Sequence, residues 1–130
     1  MERPSNVFIN EFVEEVFNNH NLSAIGKYLA GQGHERFKQF LSELFTAFHD
    51  SHSNIEHIVA ENDLVVVFLN GTGTHKGEFQ GKPPTNKKVN IRSADLYRIE
   101  NKKIVEHWDV VDQLNLLQQT GATLPRVNEK

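Results

Sequence analysis

Residues 89–111 read VNIRSADLYRIENKKIVEHWDVV, and apolar and polar side chains alternate on both sides of a short polar segment. Such alternation is typical of two paired β-strands, here over residues 89–99 and 104–111. Successive side chains of a strand point to opposite faces, so the odd positions of the first strand share one face. That face is mostly apolar, which predicts that Asp95 points inward.

The length of the connecting loop decides which residues of the second strand share the face of Asp95. An odd number of loop residues places Asp109 there, whereas a two-residue loop places Trp108 there instead. A two-residue type I′ turn needs positive φ at both central positions, for which Asn101 is suited and Lys102 is not. We therefore predict a three-residue loop and Asp95 facing Asp109.

On this prediction four titratable side chains line one cavity: Asp95, Tyr97, His107 and Asp109. Burial disfavours a charged carboxylate, and a second carboxylate disfavours it further, so one of the pair is expected to hold a proton near neutral pH while the other accepts one. Tyr97 could donate to a developing enolate, and His107 could exchange protons. In the alternative interpretation, Asp109 and His107 pair only with each other or with the helices. The pattern leaves both possibilities open.

In the N-terminal part of the chain, up to about residue 50, the hydrophobic residues repeat with a period of about 3.6 instead of two. Apolar side chains recur at three- and four-residue steps, with Ser5 as a plausible N-cap and Gly31 and Gly33 as breaks. These signals predict three amphipathic helices, over residues 6–20, 21–30 and 34–50.

Strand signals begin after Ser53. Alternation through Ile55, His57 and Val59, a turn over residues 61–63 and the β-branched run Leu64–Phe68 predict a hairpin. The glycine-rich residues 71–77 are typical of a bulged strand end at the rim of a pocket.

Helices first and antiparallel strands afterwards predict an α+β fold, with the sheet curling over the long third helix. We expect one domain over residues 1–130, with helices at about 6–50, the sheet at about 54–111 and a C-terminal tail at about 112–130.

Composition narrows the class of protein. Among 130 residues, 38% are hydrophobic and 24% charged, and there is no cysteine, which excludes disulfides, thiolate metal sites and a cysteine nucleophile. A net charge of −3 with scattered Lys and Arg argues against nucleic acid, and no apolar run is long enough for a membrane. The N-terminus lacks the features of a secretion signal. We expect a soluble cytoplasmic protein.

Two other possible sites are not supported by the sequence. His49, His52 and His57 form a local cluster, but their spacing fits no ligand set on a helix or strand, so no metal is predicted. The glycines of residues 71–77 lack the GxxxxGK pattern and a following helix, so no nucleotide cofactor is predicted.

Several longer motifs resemble one family. They are GTGTHKGEFQGKPPT (71–85), DLYRI (95–99), KIVEHWD (103–109) and the segment from Gln113 to Gly121. In this order and spacing they are similar to the SnoaL-like polyketide cyclases of the nuclear transport factor 2-like superfamily, over most of residues 40–121.

The resemblance implies a cone-shaped fold in which a curved antiparallel sheet wraps around the N-terminal helices and encloses a largely apolar pocket. It also implies dimers or tetramers packed through the outer face of the sheet, where Arg92, Arg98, Glu106 and Trp108 would lie; a solvated face is the alternative. In the cyclases an aspartate, matched by Asp109, acts as general acid/base in an intramolecular aldol condensation without metal or cofactor.

This chain departs from the cyclases at three places. Asp95 stands where they carry a histidine, the segment between Ala30 and Gly33 is shorter than theirs, and Lys102 replaces a glycine of the final hairpin turn. We therefore keep two hypotheses: a cofactor-independent enzyme acting on a small apolar carbonyl compound, or a non-catalytic protein that binds such a molecule. The residues expected to line the pocket are Phe45, Phe48, Phe68, His75, Phe79 and Ile91.

Overall fold

Helices occupy the first part of the chain and a sheet follows, in a computed structural model that describes residues 4–31 and 34–120. The helical elements are α1 (Pro4–Phe12), which continues as a π-helical turn (Val13–Asn18), a 3₁₀ turn (Leu22–Ala24), α2 (Ile25–Tyr28) and α3 (His34–Ala47). The strands are β1 (His52–Glu61), β2 (Leu64–Thr74), β3 (Lys88–Glu100) and β4 (Lys103–Val111), followed by α4 (Gln113–Gln119).

The four strands form one antiparallel sheet in the order β1-β2-β3-β4. Neighbouring antiparallel strands need no crossover, so the chain order is also the spatial order: two-residue turns join β1 to β2 and β3 to β4, and residues 75–87 join β2 to β3. The predicted α+β class with an antiparallel sheet next to N-terminal helices is confirmed. In residues 4–31 and 34–120, no helix has both the length and the apolar character needed to cross a bilayer.

The core lies between the helices and the inner face of the sheet, and Phe12 is at its centre. Its ring is fully buried and contacts the rings of Phe17, Tyr28, Phe37 and Tyr97 at centroid distances of 5.2 to 6.2 Å. Aromatic rings at these separations pack edge to face or offset. The contact with Tyr97 ties the first helix to β3, the strand that also carries Asp95.

The boundaries of several elements differ from the predictions. α1 begins at Pro4, so Ser5 lies inside the helix and is not its N-cap; proline suits the first helical turn because its φ is already helical. α3 ends at Ala47, three residues early, because the chain turns there towards β1. Gly33 and residues 121–130 lie outside the described residues.

β2 is longer than predicted, since Gly71 and Gly73 lie inside it and it ends at Thr74. β1 contains a bulge in which Glu56 is the extra residue, between Ile55 opposite Leu69 and His57 opposite Phe68. A bulge inverts the alternation beyond it. Ile55 therefore faces the core, whereas His57 and Val59 lie on the outer face.

Candidate active site

The hairpin of β3 and β4 brings Asp95 and Asp109 together, but not through the predicted loop. The loop has two residues, and both take the left-handed conformation, Asn101 at φ 52° and Lys102 at φ 64°. The prediction of a three-residue loop is wrong, because the strain of a lysine at positive φ is tolerated in this turn.

A bulge in β4 compensates for the shorter loop. Ile99 pairs with Ile104 and Arg98 with Glu106, so Val105 is the extra residue on β4. Beyond the bulge, the odd-numbered residues of β4 lie opposite the odd-numbered residues of β3, and Asp95 lies directly opposite Asp109. On the near side of this bulge Ile104 is buried at 2% exposure, and Val105 itself lies on the outer face.

Above this hairpin lies a cavity of about 170 Å³, bounded by α3, the inner face of the sheet, the segment around Phe79 and the start of α4. Its walls are mainly aromatic and aliphatic. Asp95, Tyr97, His107 and Asp109 lie together in its lining, as predicted. In the described residues, no lysine or arginine lines this cavity.

Asp95 is the buried member of the carboxylate pair, with 7% of its surface exposed. Burial and, second to it, the negative charge of Asp109 together raise the pKa of Asp95 to about 7, although the hydrogen bond from Tyr97 partly opposes both effects. Such a carboxyl is divided between its acid and its carboxylate forms at neutral pH. It can therefore donate or accept a proton under ordinary conditions.

Tyr97 and His107 flank this pair as cross-strand partners. The Tyr97 hydroxyl donates to Asp95 Oδ2 at 3.1 Å, and burial, followed by the charge of Asp95, raises the pKa of Tyr97 well above its usual range. His107 Nε2 lies 3.9 Å from Asp109 Oδ1, and its ring also touches Phe37. With its side chain 32% exposed, His107 connects the pair to solvent.

Four of the six residues expected to line the pocket do so: Phe45, Phe48, Phe79 and Ile91. Phe68 does not, because its even position in β2 places it on the outer face, where it is 41% exposed and contacts His57. An apolar side chain identifies the inner face of a strand only when the other face is polar, and here both faces of the sheet carry apolar residues.

His75 also lies outside the cavity lining, although it was expected at the pocket mouth. It is buried at 1% exposure, its ring stacks on Phe48 at 5.3 Å, and its Nδ1 lies 3.1 Å from Thr85 Oγ1. His75 therefore supports the wall behind Phe48 and anchors the segment that follows β2.

Sequence reasoning did not identify several lining residues, among them Phe37, His52, Ser53, Gly71 and Ser93. The inward parity of β3 pointed to Ser93, and the apolar stripe of α3 pointed to Phe37. The glycine-rich segment pointed to Gly71 only as part of a pocket rim, because the full length of β2 was not known, and nothing in the sequence indicated His52. In the described part of the chain, no group of three or more His, Asp or Glu side chains is arranged to hold a metal ion.

Comparison of the sequence and the structure with known proteins identifies a family. The sequence matches the SnoaL-like polyketide cyclase family over residues 8–120, which extends the resemblance through the N-terminal helices. Comparison with curated proteins gave no match.

Several solved structures are similar to this chain. AclR from Streptomyces galilaeus, provisionally described as a hydroxylase, is 30% identical, with a TM-score of 0.81 over 95% of this chain and 84% of that chain. TsrD from Streptomyces laurentii is 21% identical, with a TM-score of 0.85 over 95% of this chain and 99% of its own. IdmH from Streptomyces antibioticus, provisionally described as a polyketide cyclase, is 24% identical, with a TM-score of 0.78 over 92% of this chain and 100% of its own. The last two similarities concern the fold. The chain belongs to the SnoaL-like polyketide cyclase family.

Proposed function

We propose that this protein is a cofactor-independent acid/base enzyme, of the cyclase, isomerase or hydrolase type, acting on a small apolar carbonyl compound. The observation that carries the proposal is the carboxylate pair. Asp95 and Asp109 face each other in an apolar cavity, and no described lysine or arginine lines that cavity to neutralise them. Two such acids disfavour simultaneous ionisation, so one holds a proton while the other accepts one.

This arrangement suits chemistry at the carbon next to a carbonyl group. Asp109, the more exposed carboxylate, removes the α-proton, and the resulting enolate attacks a second carbonyl carbon of the same molecule. The new carbon–carbon bond forms as the C=O π-bond breaks, and the protonated Asp95 delivers its proton to the developing alkoxide. The aspartate that acts as general acid/base in the cyclases matches Asp109, which supports this assignment.

Tyr97 and His107 have assisting roles in the proposal. Because the Tyr97 hydroxyl already donates to Asp95, Tyr97 orients that carboxyl and moderates its pKa. Each turnover leaves a proton on Asp109 and removes one from Asp95. His107, next to Asp109 and partly exposed, passes the proton from Asp109 to solvent, from which Asp95 regains one.

The proposal is tested with a panel of diketide-like ketones and esters. Asp109→Asn keeps the shape of the side chain but removes its basicity, so we expect turnover to fall by about 10²- to 10⁴-fold. Asp63→Asn is the matched control, since Asp63 pairs with Arg98 away from the cavity. Full turnover by Asp109→Asn, or no turnover of the panel by the unaltered protein, would contradict the proposal.

The alternative function is binding without catalysis, in which the carboxylates only orient the ligand. Calorimetric titration of the same panel separates the two. An unaltered protein that binds ketones but turns none over, with Asp95→Asn and Asp109→Asn changing only affinity, would favour the binding function.

A second reaction type comes from AclR, the 30% identical relative provisionally described as a hydroxylase. Hydroxylation requires an oxidant, which the proposed acid/base reaction does not. Dioxygen uptake measured during turnover of the panel therefore distinguishes them, and we expect none.

We also propose that the chain forms a homodimer through the outer face of the sheet. Two neighbouring rows cross all four strands there and are mostly apolar: Val59, Val66, Leu96 and Trp108, then His57, Phe68, Ala94 and Val110. Val110 and Val59 are 73% and 59% exposed, and a continuous apolar surface of this kind favours a protein partner.

Light scattering after size exclusion tests this dimer. Val110→Lys places a charge in the second row and should give a monomer, whereas Val7→Lys, on the exposed side of α1, should leave the mass unchanged. A monomeric unaltered protein at high concentration would contradict the proposal.

A further inference from the structure

Gly71 lies inside β2 and on its inner face. The strand is regular from Leu64 to Thr74, so its side chains alternate without interruption. A Cβ added to Gly73 would lie 3.1 Å from Phe48 Cβ, on the cavity side, and Leu69 is buried in the core. Gly71 stands between them, so a side chain there would also point inward.

Neither backbone conformation nor packing explains a glycine at this position. Gly71 is not in the left-handed region, and an added Cβ would meet only the carbonyl oxygen of Ile91, at an ordinary 3.7 Å. By contrast, an added Cβ on Gly77 would come within 2.6 Å of Thr46 O. Glycine weakens the interior of a strand, so the residue at 71 is unfavourable for the sheet and leaves a space that the fold does not fill.

That space is part of the cavity. Gly71 pairs with Ser53 on β1 and with Ile91 on β3, and all three residues line the cavity wall. Gly71 lies four residues along β2 from Val67, which pairs with Asp95, so about 13 Å separates its row of the sheet from that of the carboxylate pair.

We infer that Gly71 forms the floor of a distal subsite that receives the apolar end of an elongated substrate, while the carbonyl group reacts at Asp95 and Asp109. The inference rests on the proposed function for the orientation of the substrate. Gly71 is then a specificity residue: the missing side chain sets the length of the apolar group that the cavity accepts.

Two phenyl ketones, acetophenone and hexanophenone, test the subsite by calorimetric titration. The four additional methylene groups of hexanophenone should strengthen binding to the unaltered protein by about 10- to 100-fold if they are buried at Gly71. In Gly71→Val the isopropyl group occupies that space, so this gain should fall at least tenfold, while acetophenone binds as before.

Gly26→Ala is the matched control, because Gly26 also has open space around its Cβ position but lies in α2, outside the cavity. Thermal unfolding should show both variants folded, and Gly71→Ala, which has a smaller side chain, gives an intermediate loss should Gly71→Val not fold. Equal weakening of both ketones, an unchanged preference for hexanophenone, or no preference in the unaltered protein would each overturn the inference.

The same titrations separate this inference from the proposed function. Asp109→Asn should keep the preference for hexanophenone although its turnover is strongly reduced. If Asp109→Asn instead retains turnover, the acid/base proposal fails while a loss of the preference in Gly71→Val still supports the subsite.

Discussion

The two faces of the β3–β4 hairpin differ in which charged side chains lie next to each other. On the outer face, Arg98 lies between Asp63 and Glu106, with N–O distances of 2.9 and 2.7 Å, so opposite charges meet. On the inner face, Asp95 and Asp109 oppose each other, with the Tyr97 hydroxyl on Asp95 and His107 beside Asp109. The outer arrangement favours the fold at neutral pH and the inner one disfavours it, which is the usual mark of a site kept for chemistry.

The largest effect is expected on the inner face. Because the pKa of Asp95 rises from 3.8 in the unfolded chain to about 7 in the fold, the folded state holds a proton that the unfolded state has released between these values. The contribution of Asp95 to stability is complete below pH 3.8 and is lost as the pH rises to about 7. Asp95→Asn cannot ionise, so it does not lose this stability. The difference in unfolding free energy between Asp95→Asn and the unaltered protein should therefore grow in favour of the variant by up to about 4 kcal/mol across this pH range.

Urea unfolding of both proteins at several pH values measures this difference, because acids outside the Asp95–Asp109 pair titrate equally in the two. Asp63→Asn, on the outer side of the hairpin, serves as the control. A difference between Asp95→Asn and the unaltered protein that stays constant with pH would contradict the contrast between the faces.

A much smaller effect is expected on the outer face. Glu106→Gln leaves Arg98 paired with Asp63, and the Glu106 side chain is 53% exposed, so the loss of unfolding free energy should be about 1 kcal/mol or less. Urea unfolding at low and high salt should show this loss shrinking as salt screens the charges. A loss comparable to the gain in Asp95→Asn would mean that the two faces do not differ.

The sequence predicted the helical and strand regions because their hydrophobic periods differ, and it predicted the pairing of Asp95 with Asp109. It reached that pairing by the wrong route. A two-residue turn followed by a bulge at Val105 brings the same residues face to face as a loop with an odd number of residues would. An alternating sequence pattern does not show where a strand bulges.

The remaining errors share a physical cause. Phe68 looks like a core residue because it is apolar, yet it lies on the outer face, where apolar rows cross the sheet. His75 looks like a rim residue because histidine is polar, yet its ring is enclosed between Phe48 and Thr85. Residue type predicts burial only on average, and these positions depend on contacts between distant parts of the chain.

The central claim is that burial and the neighbouring charge of Asp109 raise the pKa of Asp95 to about 7. Titration of the side-chain carboxyl carbons by NMR measures it directly. We predict that Asp95 titrates with a pKa of about 7, and that Asp109→Asn lowers this pKa by removing the neighbouring charge. An Asp95 that titrates near 3.8 in the folded protein, or one whose pKa does not respond to Asp109→Asn, would contradict the account.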